Sequence, residues 1–452
     1  MLELFRSRRS TVVLVVDAAL ITGTFFVAVL VRFGPNDVTR HAIEVMRNSM
    51  VVVPMSLASL YYHGLYGNEP TPPPARLVLK VGQALLLGSL PLWLAYYLLP
   101  ELGVGRGVFL WGLIAGALAV SGWRLLYGTL SANATFSRRA LVLGDGPLAR
   151  DLSALIASRP LGITLVGMLG PIGASSPGSI GCYDELSEVV VREGVDLVLV
   201  AFNDRRGTLP VDQLLSLKFR GVEIDEGVDF YEQTAGKIYV REMRPSHFIF
   251  SDGYQRKRGL RRLKRLVDFA GASVGLALSA PVVALAALAI KLDSPGPVLY
   301  AQERVGEFGN VFRIFKLRSM RTDAEKNGAQ WASADDGRVT RVGRVLRKTR
   351  LDELPQLYNV FRSEMSLVGP RPERPVFVEE LERKVPFYRQ RLCVKPGITG
   401  LAQVRCRYAA SVEDSLEKLQ YDLYYIKTAS IWFDFSIIFD TVKVVLLRIG
   451  AH

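Results

Sequence analysis

The chain is poor in the side chains that build metal centres and covalent staples. Three cysteines, Cys182, Cys393 and Cys406, are scattered through 452 residues without a C-x-x-C spacing. Neither a disulfide framework nor a thiolate zinc site is indicated. Four histidines occur, His41, His63, His247 and His452, and none stands at metal-ligand spacing from another. Catalysis must therefore draw on carboxylates, lysines, arginines, hydroxyls or tyrosines. Acid is also scarce: 43 Asp and Glu against 56 Lys and Arg leave a net charge of +13. That balance suits phosphate-rich ligands, nucleic acid or an anionic membrane surface. Hydrophobic residues make up 49% of the chain, and apolar bulk joined to basic charge points to a membrane protein with basic cytoplasmic faces. The cations cluster at membrane flanks and phosphate-site motifs, without a recognised nucleic-acid module, so no nucleic-acid partner is expected.

Long stretches of the first third lack charge. Thr11–Val31 carries one acid, Asp17, and Asn48–Asn68, Val81–Pro100 and Gly107–Trp123 carry no Asp, Glu, Lys or Arg. Each approaches the roughly 20 residues that cross a bilayer. The basic start, MLELFRSRRS, favours an internal N-terminus. With no small-residue cleavage site after it, it is not read as a removable signal. Four spans within residues 1–130 return the chain to the cytoplasm, where Arg138 and Arg139 follow. Asp17 is read as a packing residue between helices, because a lone acid in a span needs a partner.

Residues 138–245 change character. RALVLGDGPLARDLSALIA reads as strand, glycine turn and helix, and VDLVLVAF as a buried strand. The pattern predicts a Rossmann-like α/β module. Gly144, Gly146 and Ala149 approximate a dinucleotide fingerprint. The next strand, ITLVGMLG, ends without the acid that would bind a ribose hydroxyl. A structural or regulatory module is preferred to an NAD site.

RKRGLRRLKR, residues 256–265, holds seven basic residues in ten, and Phe269–Ile290 follows with 22 uncharged ones. A basic cluster beside an apolar stretch anchors to anionic lipid. Lys291, Arg304, Arg313, Lys316 and Arg318 follow the stretch, so the positive-inside rule places both ends in the cytoplasm. Pro281 lies near its middle and removes a helix hydrogen bond, while Ser279 can serve a freed backbone group. Residues 266–292 are therefore read as a re-entrant helix bent at Pro281, with an ordinary fifth span as the alternative. The remaining residues to 452 read as soluble, with strands GPVLYAQERV and NVFRIFKLRSM, a helix SVEDSLEKLQYDLYYIKT and a turn at KPGITG. The closing SIWFDFSIIFDTVKVVLLRI fits a core helix or a membrane-surface helix equally.

The chemistry concentrates in RKTRLDELPQLYNVFRSEMSLVGPRPERP, residues 347–375, where Asp352 and Glu353 stand among cations. Pro355 is tolerated only in a first helical turn, so a helix is expected to start around Leu351–Leu354 with both acids at its N-terminus. Helix capping explains an isolated Asp-Glu pair. Here Arg347, Lys348, Arg350, Arg371 and Arg374 surround it, and such groups both keep carboxylates ionised and gather phosphates. One acid could then attack phosphorus while the other holds Mg²⁺ with substrate phosphate.

From Leu266 onward the chain resembles the bacterial sugar transferase domain of monotopic polyprenyl-phosphate phosphoglycosyl transferases. The motifs that carry the resemblance are LSAPVVALAALAIKL, PVLYAQERVG, FRIFKLRSM, RVGRVLRKTRLDELPQLYNVF, MSLVGPRPERP, KPGITGLAQV and YDLYYIK. With its front spans and α/β module, the whole chain resembles the large members of that family. HFIFSDG and ASVEDSLEKLQYDLYYIK resemble the branch associated with exopolysaccharide and exosortase systems. Two positions depart from the family pattern: Ala280 where Ser often precedes the re-entrant proline, and Leu401 where Trp often follows KPGITG.

The resemblance implies transfer of a sugar 1-phosphate from a UDP-sugar to membrane polyprenyl phosphate, with release of UMP. Asp352 would carry the covalent phospho-sugar and Glu353 would be the Mg²⁺ ligand. Lys316, Arg318, Arg347, Arg371, Lys395 and Arg407 would contact phosphate or nucleotide. The implied location is the bacterial plasma membrane, multi-pass, with the catalytic domain, residues 256–452, on the cytoplasmic face and in contact with lipid. A homodimer through the spans or the α/β module is a further expectation. The alternatives are a non-catalytic scaffold of a polysaccharide assembly complex and a membrane-bound nucleotide-sugar dehydratase. The second lacks a Tyr-x-x-x-Lys pair and a second NAD-binding tract after residue 260.

Overall fold

The computed structural model describes residues 8–34, 38–63, 65–66, 74–98, 106–132, 137–158, 162–171, 178–202, 209–243, 245–251, 253–254, 258–324, 337–406 and 411–446. The chain divides into two compact units, Met1–Gly227 and Val228–His452.

The first unit opens with four long helices, α1 (Arg8–Phe33), α2 (Val38–Tyr62), α3 (Pro74–Leu98) and α4 (Arg106–Ala132). Their shared core includes Phe25, Val29, Leu60, Val81 and Val120. Among the described residues, Thr11–Phe33 and Val108–Thr129 in this unit are long and apolar enough to cross a membrane. Asp17 is fully buried and packs between helices: its Oδ2 accepts from Arg124 Nη2 at 2.5 Å and from Tyr66 Oη at 2.8 Å. Arg124 lies one residue beyond the uncharged run of the fourth expected span, so the partner that Asp17 requires sits within α4.

The α/β module follows as a parallel five-stranded sheet of order β3-β2-β1-β4-β5. Its strands are β1 (Arg138–Leu143), β2 (Ile163–Gly170), β3 (Ser179–Cys182), β4 (Leu197–Val200) and β5 (Glu223–Glu226). Helices α5 (Pro147–Ser158), α6 (Leu186–Glu193) and α7 (Val211–Phe219) connect them. Gly144 is demanded by packing: its φ is +143°, and a Cβ there would lie 2.3 Å from the Ala201 carbonyl oxygen.

The second unit opens within α8 (Gly227–Ala235) and contains α9 (Pro245–Phe250) and the 36-residue α10 (Arg258–Asp293). Strands β6 (Leu299–Val305) and β7 (Val311–Leu317) form an antiparallel hairpin, with Lys316 opposite Tyr300. Then come α11 (Arg341–Lys348), α12 (Gln356–Phe361), β8 (Ser366–Val368), α13 (Pro375–Lys384), β9 (Gly397–Thr399), α14 (Leu401–Arg405), α15 (Val412–Thr428) and α16 (Ile431–Leu446). Ser411 caps α15 in a capping box with Asp414.

Two local expectations need correction. KPGITG is not only a turn: β9 pairs in parallel with β8, and a Cβ on Gly397 would lie 2.1 Å from the Gly369 nitrogen. The helix expected from Leu351–Leu354 is split. Leu351–Glu353 form a 3₁₀ turn, and α12 starts only at Gln356 with Pro355 at its N-cap. Neither acid caps that helix. The left-handed Arg350, φ 59°, separates α11 from the 3₁₀ turn that holds the acids.

Candidate active site

The 3₁₀ turn points both acids into the protein rather than along a helix axis. Asp352 is 7% exposed. Glu353 Oε1 accepts from Arg371 Nη2 at 2.7 Å and from Lys316 Nζ at 3.1 Å, with Arg350 Nη1 at 4.0 Å. Burial alone would push the Glu353 carboxyl up, but Arg371, Lys316 and Arg350 together hold it well below the usual carboxylate range. Asp352 moves the other way. Burial raises it first, the Glu353 charge raises it further, and Lys316, Arg347 and Arg371 only partly offset this. Adjacent acids thus have opposite electrostatic environments.

Three elements deliver the cations. Strand β7 presents Lys316, the end of α11 presents Arg347, and the Gly-Pro-Arg-Pro turn after β8 presents Arg371. Arg347 Nε donates to Ser319 Oγ at 3.1 Å, which fixes its guanidinium at the end of β7. Asn359 on α12 joins the acid turn to the strand. Its amide donates to the Arg313 carbonyl at 2.7 Å and to Glu364 at 2.8 Å, and its oxygen accepts from the Phe315 N–H at 3.1 Å. Asn359 is fully buried, so these bonds answer its hydrogen-bonding capacity and set the register of Lys316.

The other residues singled out by sequence are placed differently. Arg318 Nη1 donates to the Pro295 carbonyl at 2.7 Å, and Nη2 to the Ser294 carbonyl at 2.7 Å. It ties the exit of α10 to β7. Lys395 donates to Ser363 Oγ, and its charged surroundings are Glu307, Arg265 and Asp268 rather than the acid pair. Arg407 lies outside the described residues. Pro281 sits within the continuous helix α10, and Ser279 Oγ donates to the Leu276 carbonyl at 3.4 Å.

Sequence reasoning passed over Asn359, Arg304, Arg391 and Asp422. Asp422 lay inside the quoted YDLYYIK, and Asn359 inside the acid motif, but neither stood out by charge pattern. Arg391 sits in an ordinary basic surface run, YRQRL, and only its burial, 7% exposed, sets it apart. Among the described residues no group of three or more His, Cys, Asp or Glu could hold a metal ion.

Residues 260–448 match the family described as Bacterial sugar transferase. The chain is 48% identical over 190 residues to a UDP-N-acetylgalactosamine-undecaprenyl-phosphate N-acetylgalactosaminephosphotransferase of Aeromonas hydrophila, across 42% of this chain and 45% of that relative. It is 44% identical over 191 residues to a UDP-glucose:undecaprenyl-phosphate glucose-1-phosphate transferase of Caulobacter vibrioides, across 42% of this chain and 72% of the relative. An undecaprenyl-phosphate glucose phosphotransferase of Komagataeibacter xylinus matches further forward, at 36% identity over 324 residues, 68% of this chain and 59% of the relative. The acid pair and its cations, with the strand, helix and turn that carry them, fall within residues 260–448: the chain belongs to the bacterial sugar transferase family.

Proposed function

We propose that the protein transfers a sugar 1-phosphate from a UDP-sugar to polyprenyl phosphate, in two steps through Asp352. The observation that carries this reading is the buried acid pair under Lys316, Arg347 and Arg371, in a chain whose relatives are named as such transferases. In the first step a carboxylate oxygen of Asp352 attacks the sugar-bearing phosphorus. The bond from that phosphorus to the bridging oxygen breaks, and UMP leaves with its electron pair. In the second step a polyprenyl phosphate oxygen attacks the same phosphorus and breaks its bond to Asp352. The carboxylate is restored and a polyprenyl diphospho-sugar departs, the opening intermediate of an exopolysaccharide or related glycan. Lys316, Arg347 and Arg371 neutralise charge on the transferring and leaving phosphates.

The donor set fits Mg²⁺ only together with substrate. Magnesium is held by one or two carboxylates plus phosphate oxygens and water, and Glu353 supplies one while Asp352 is kept for the phosphorus. Glu353 would hold the ion, which would offset the charge of the diphosphate when bound.

The membrane arrangement completes the reading: a front bundle over 1–130, the α/β module over 138–245, and a catalytic domain over 256–452 on the cytoplasmic face with α10 re-entrant. Both ends of α10 pack on the same unit. Ala272 shares an apolar cluster with Ile314, and Ile290 shares one with Leu317. Ile314 and Leu317 are about 10 Å apart along β7, whereas a straight helix separates Ala272 from Ile290 by about 27 Å. A bend at Pro281 shortens that distance and returns the chain to the side it left.

Intact-protein mass spectrometry after incubation with Mg²⁺ and a panel of UDP-sugars, without lipid acceptor, tests the mechanism. A gain of one phospho-sugar, absent in Asp352→Asn, is expected and identifies the donor. No adduct with any donor, while UMP still appears once polyprenyl phosphate is added, would replace the covalent step with direct transfer.

A further inference from the structure

The turn that presents Arg371 cannot hold itself. Its seven residues, Gly369 to Pro375, include three prolines without an N–H. Its carbonyls therefore depend on donors from elsewhere, and these can be counted one by one. The Pro370 carbonyl accepts from the Gly397 N–H at 2.9 Å, the Glu373 carbonyl from the Val305 N–H at 2.9 Å, and the Arg374 carbonyl from the Phe377 N–H at 3.0 Å. The two carbonyls between are held by arginine side chains. Arg391 Nη2 donates to the Arg371 carbonyl at 3.0 Å, and Arg304 Nη1 to the Pro372 carbonyl at 3.1 Å.

Both arginines are themselves fixed. Arg391 Nε donates to Asp422 Oδ2 at 2.9 Å, and its Nη1 to Tyr388 Oη at 2.6 Å. Asp422 is 1% exposed, so this pair belongs to the interior. Arg304 Nη2 donates to Gln302 Oε1 at 2.7 Å, and its Nη1 reaches Glu373 Oε2 at 3.4 Å. Packing alone would be met by apolar side chains. Guanidinium groups withdrawn from water offset their desolvation where fixed donors are needed, and here they fix a backbone segment whose side chain, Arg371, touches the acid pair.

We propose that Arg391 and Arg304 are positioning residues for the transfer reaction, clamping successive carbonyls of the turn so that the Arg371 guanidinium meets Glu353. Asp422 belongs to the same device, because it orients Arg391. The proposal rests on the transferase reading for its kinetic consequence. Its structural half stands on the hydrogen bonds alone.

The test is a double-mutant cycle on full-length protein in detergent, with UMP release as readout. Arg391→Gln is made together with Asp422→Asn, so that no buried charge is stranded, and Arg304→Gln is made separately. Each is expected to lower kcat about a hundredfold, the scale of an ångström of misplacement, with the donor KM changed far less. In an Arg371→Ala background the same substitutions are expected to cost nothing further, because a positioning residue has nothing left to position. A merely structural role makes the losses multiply, which would overturn the proposal. Phenylglyoxal modification of Arg371, mapped by peptide mass spectrometry, reads the clamp without activity. Faster modification in both clamp variants supports it, and unchanged modification in both overturns it. Wild-type protein that releases no UMP with any donor would defeat the transferase reading instead, and the modification result would still decide the clamp.

Discussion

Arg371 Nη2 and Glu353 Oε1 lie 2.7 Å apart, and Lys316 Nζ reaches the same oxygen at 3.1 Å. One carboxylate of the acid pair is thereby held as an anion, and its charge acts on the other. Asp352, adjacent in the chain and buried, is pushed toward its neutral form. Acids whose environments push them apart take different tasks. On the proposed mechanism the charged Glu353 would organise the cations, and Asp352, the less stabilised anion, would be the nucleophile.

Substitution should separate these tasks by their effect on stability. In Asp352→Asn the phospho-sugar adduct disappears while the melting temperature holds or rises, because a buried carboxylate without full compensation is lost. Glu353→Gln removes the charge that pairs Arg371 and Lys316. The melting temperature falls, by about 3 kcal/mol of stability for a broken buried pair, and kcat drops on the order of a hundredfold. Thermal unfolding in detergent beside UMP release checks both. Equal destabilisation by the two variants would contradict the division.

The pH dependence follows from the same opposition. Burial, with the Glu353 charge beside it, raises Asp352 above the ordinary aspartate value, so the acid limb of kcat/KM is expected above the ordinary aspartate range. Glu353 is depressed, so its contribution to stability is complete above the unfolded carboxylate value and is lost only as pH falls through the lower folded one. Acidification is therefore expected to silence the enzyme reversibly while the fold persists. Rate and tryptophan fluorescence followed over the same pH series check this, and coincident loss of both would refute it.

Arg318 is expected to behave as a structural arginine. Its guanidinium donates to the carbonyls of Ser294 and Pro295, and the residue is 6% exposed. Arg318→Met should cost about 2–3 kcal/mol through the two unsatisfied carbonyls, with little change in the donor KM of the protein that remains folded. A raised KM at unchanged melting temperature would return Arg318 to the phosphate site.

The legible parts were those encoded locally. The segments GPVLYAQERV and NVFRIFKLRSM carry β6 and β7, and SVEDSLEKLQYDLYYIKT carries α15. The acid pair announced itself because two carboxylates in a basic tract conflict with charge balance. What escaped depends on contacts distant in sequence. Arg124 pairs with Asp17 across 107 residues, and Arg391 with Asp422 across 31. No periodicity reports such a pairing. The left-handed residue between α11 and the acids escaped for another reason. Arg350 carries a side chain that normally avoids positive φ, so nothing in its identity signals a left-handed residue. Strain of this kind costs of order 1–3 kcal/mol and persists only where the surrounding structure enforces it.

The re-entrant reading of α10 makes a topological prediction. A straight helix of 36 residues would be about 54 Å long, well beyond the roughly 30 Å of a bilayer core. In a variant with the three native cysteines replaced by serine, single cysteines at Gly259 and Leu292 mark its two ends. Both positions are exposed. A membrane-impermeant maleimide is expected to label both from the cytoplasmic face in inverted vesicles, and neither in intact spheroplasts. Pro281→Leu restores the backbone N–H and favours a straight helix, so a fraction of the 292 site is expected to become reactive from outside, with a matching loss of UMP release. Wild-type labelling of the two ends from opposite faces would make α10 an ordinary span.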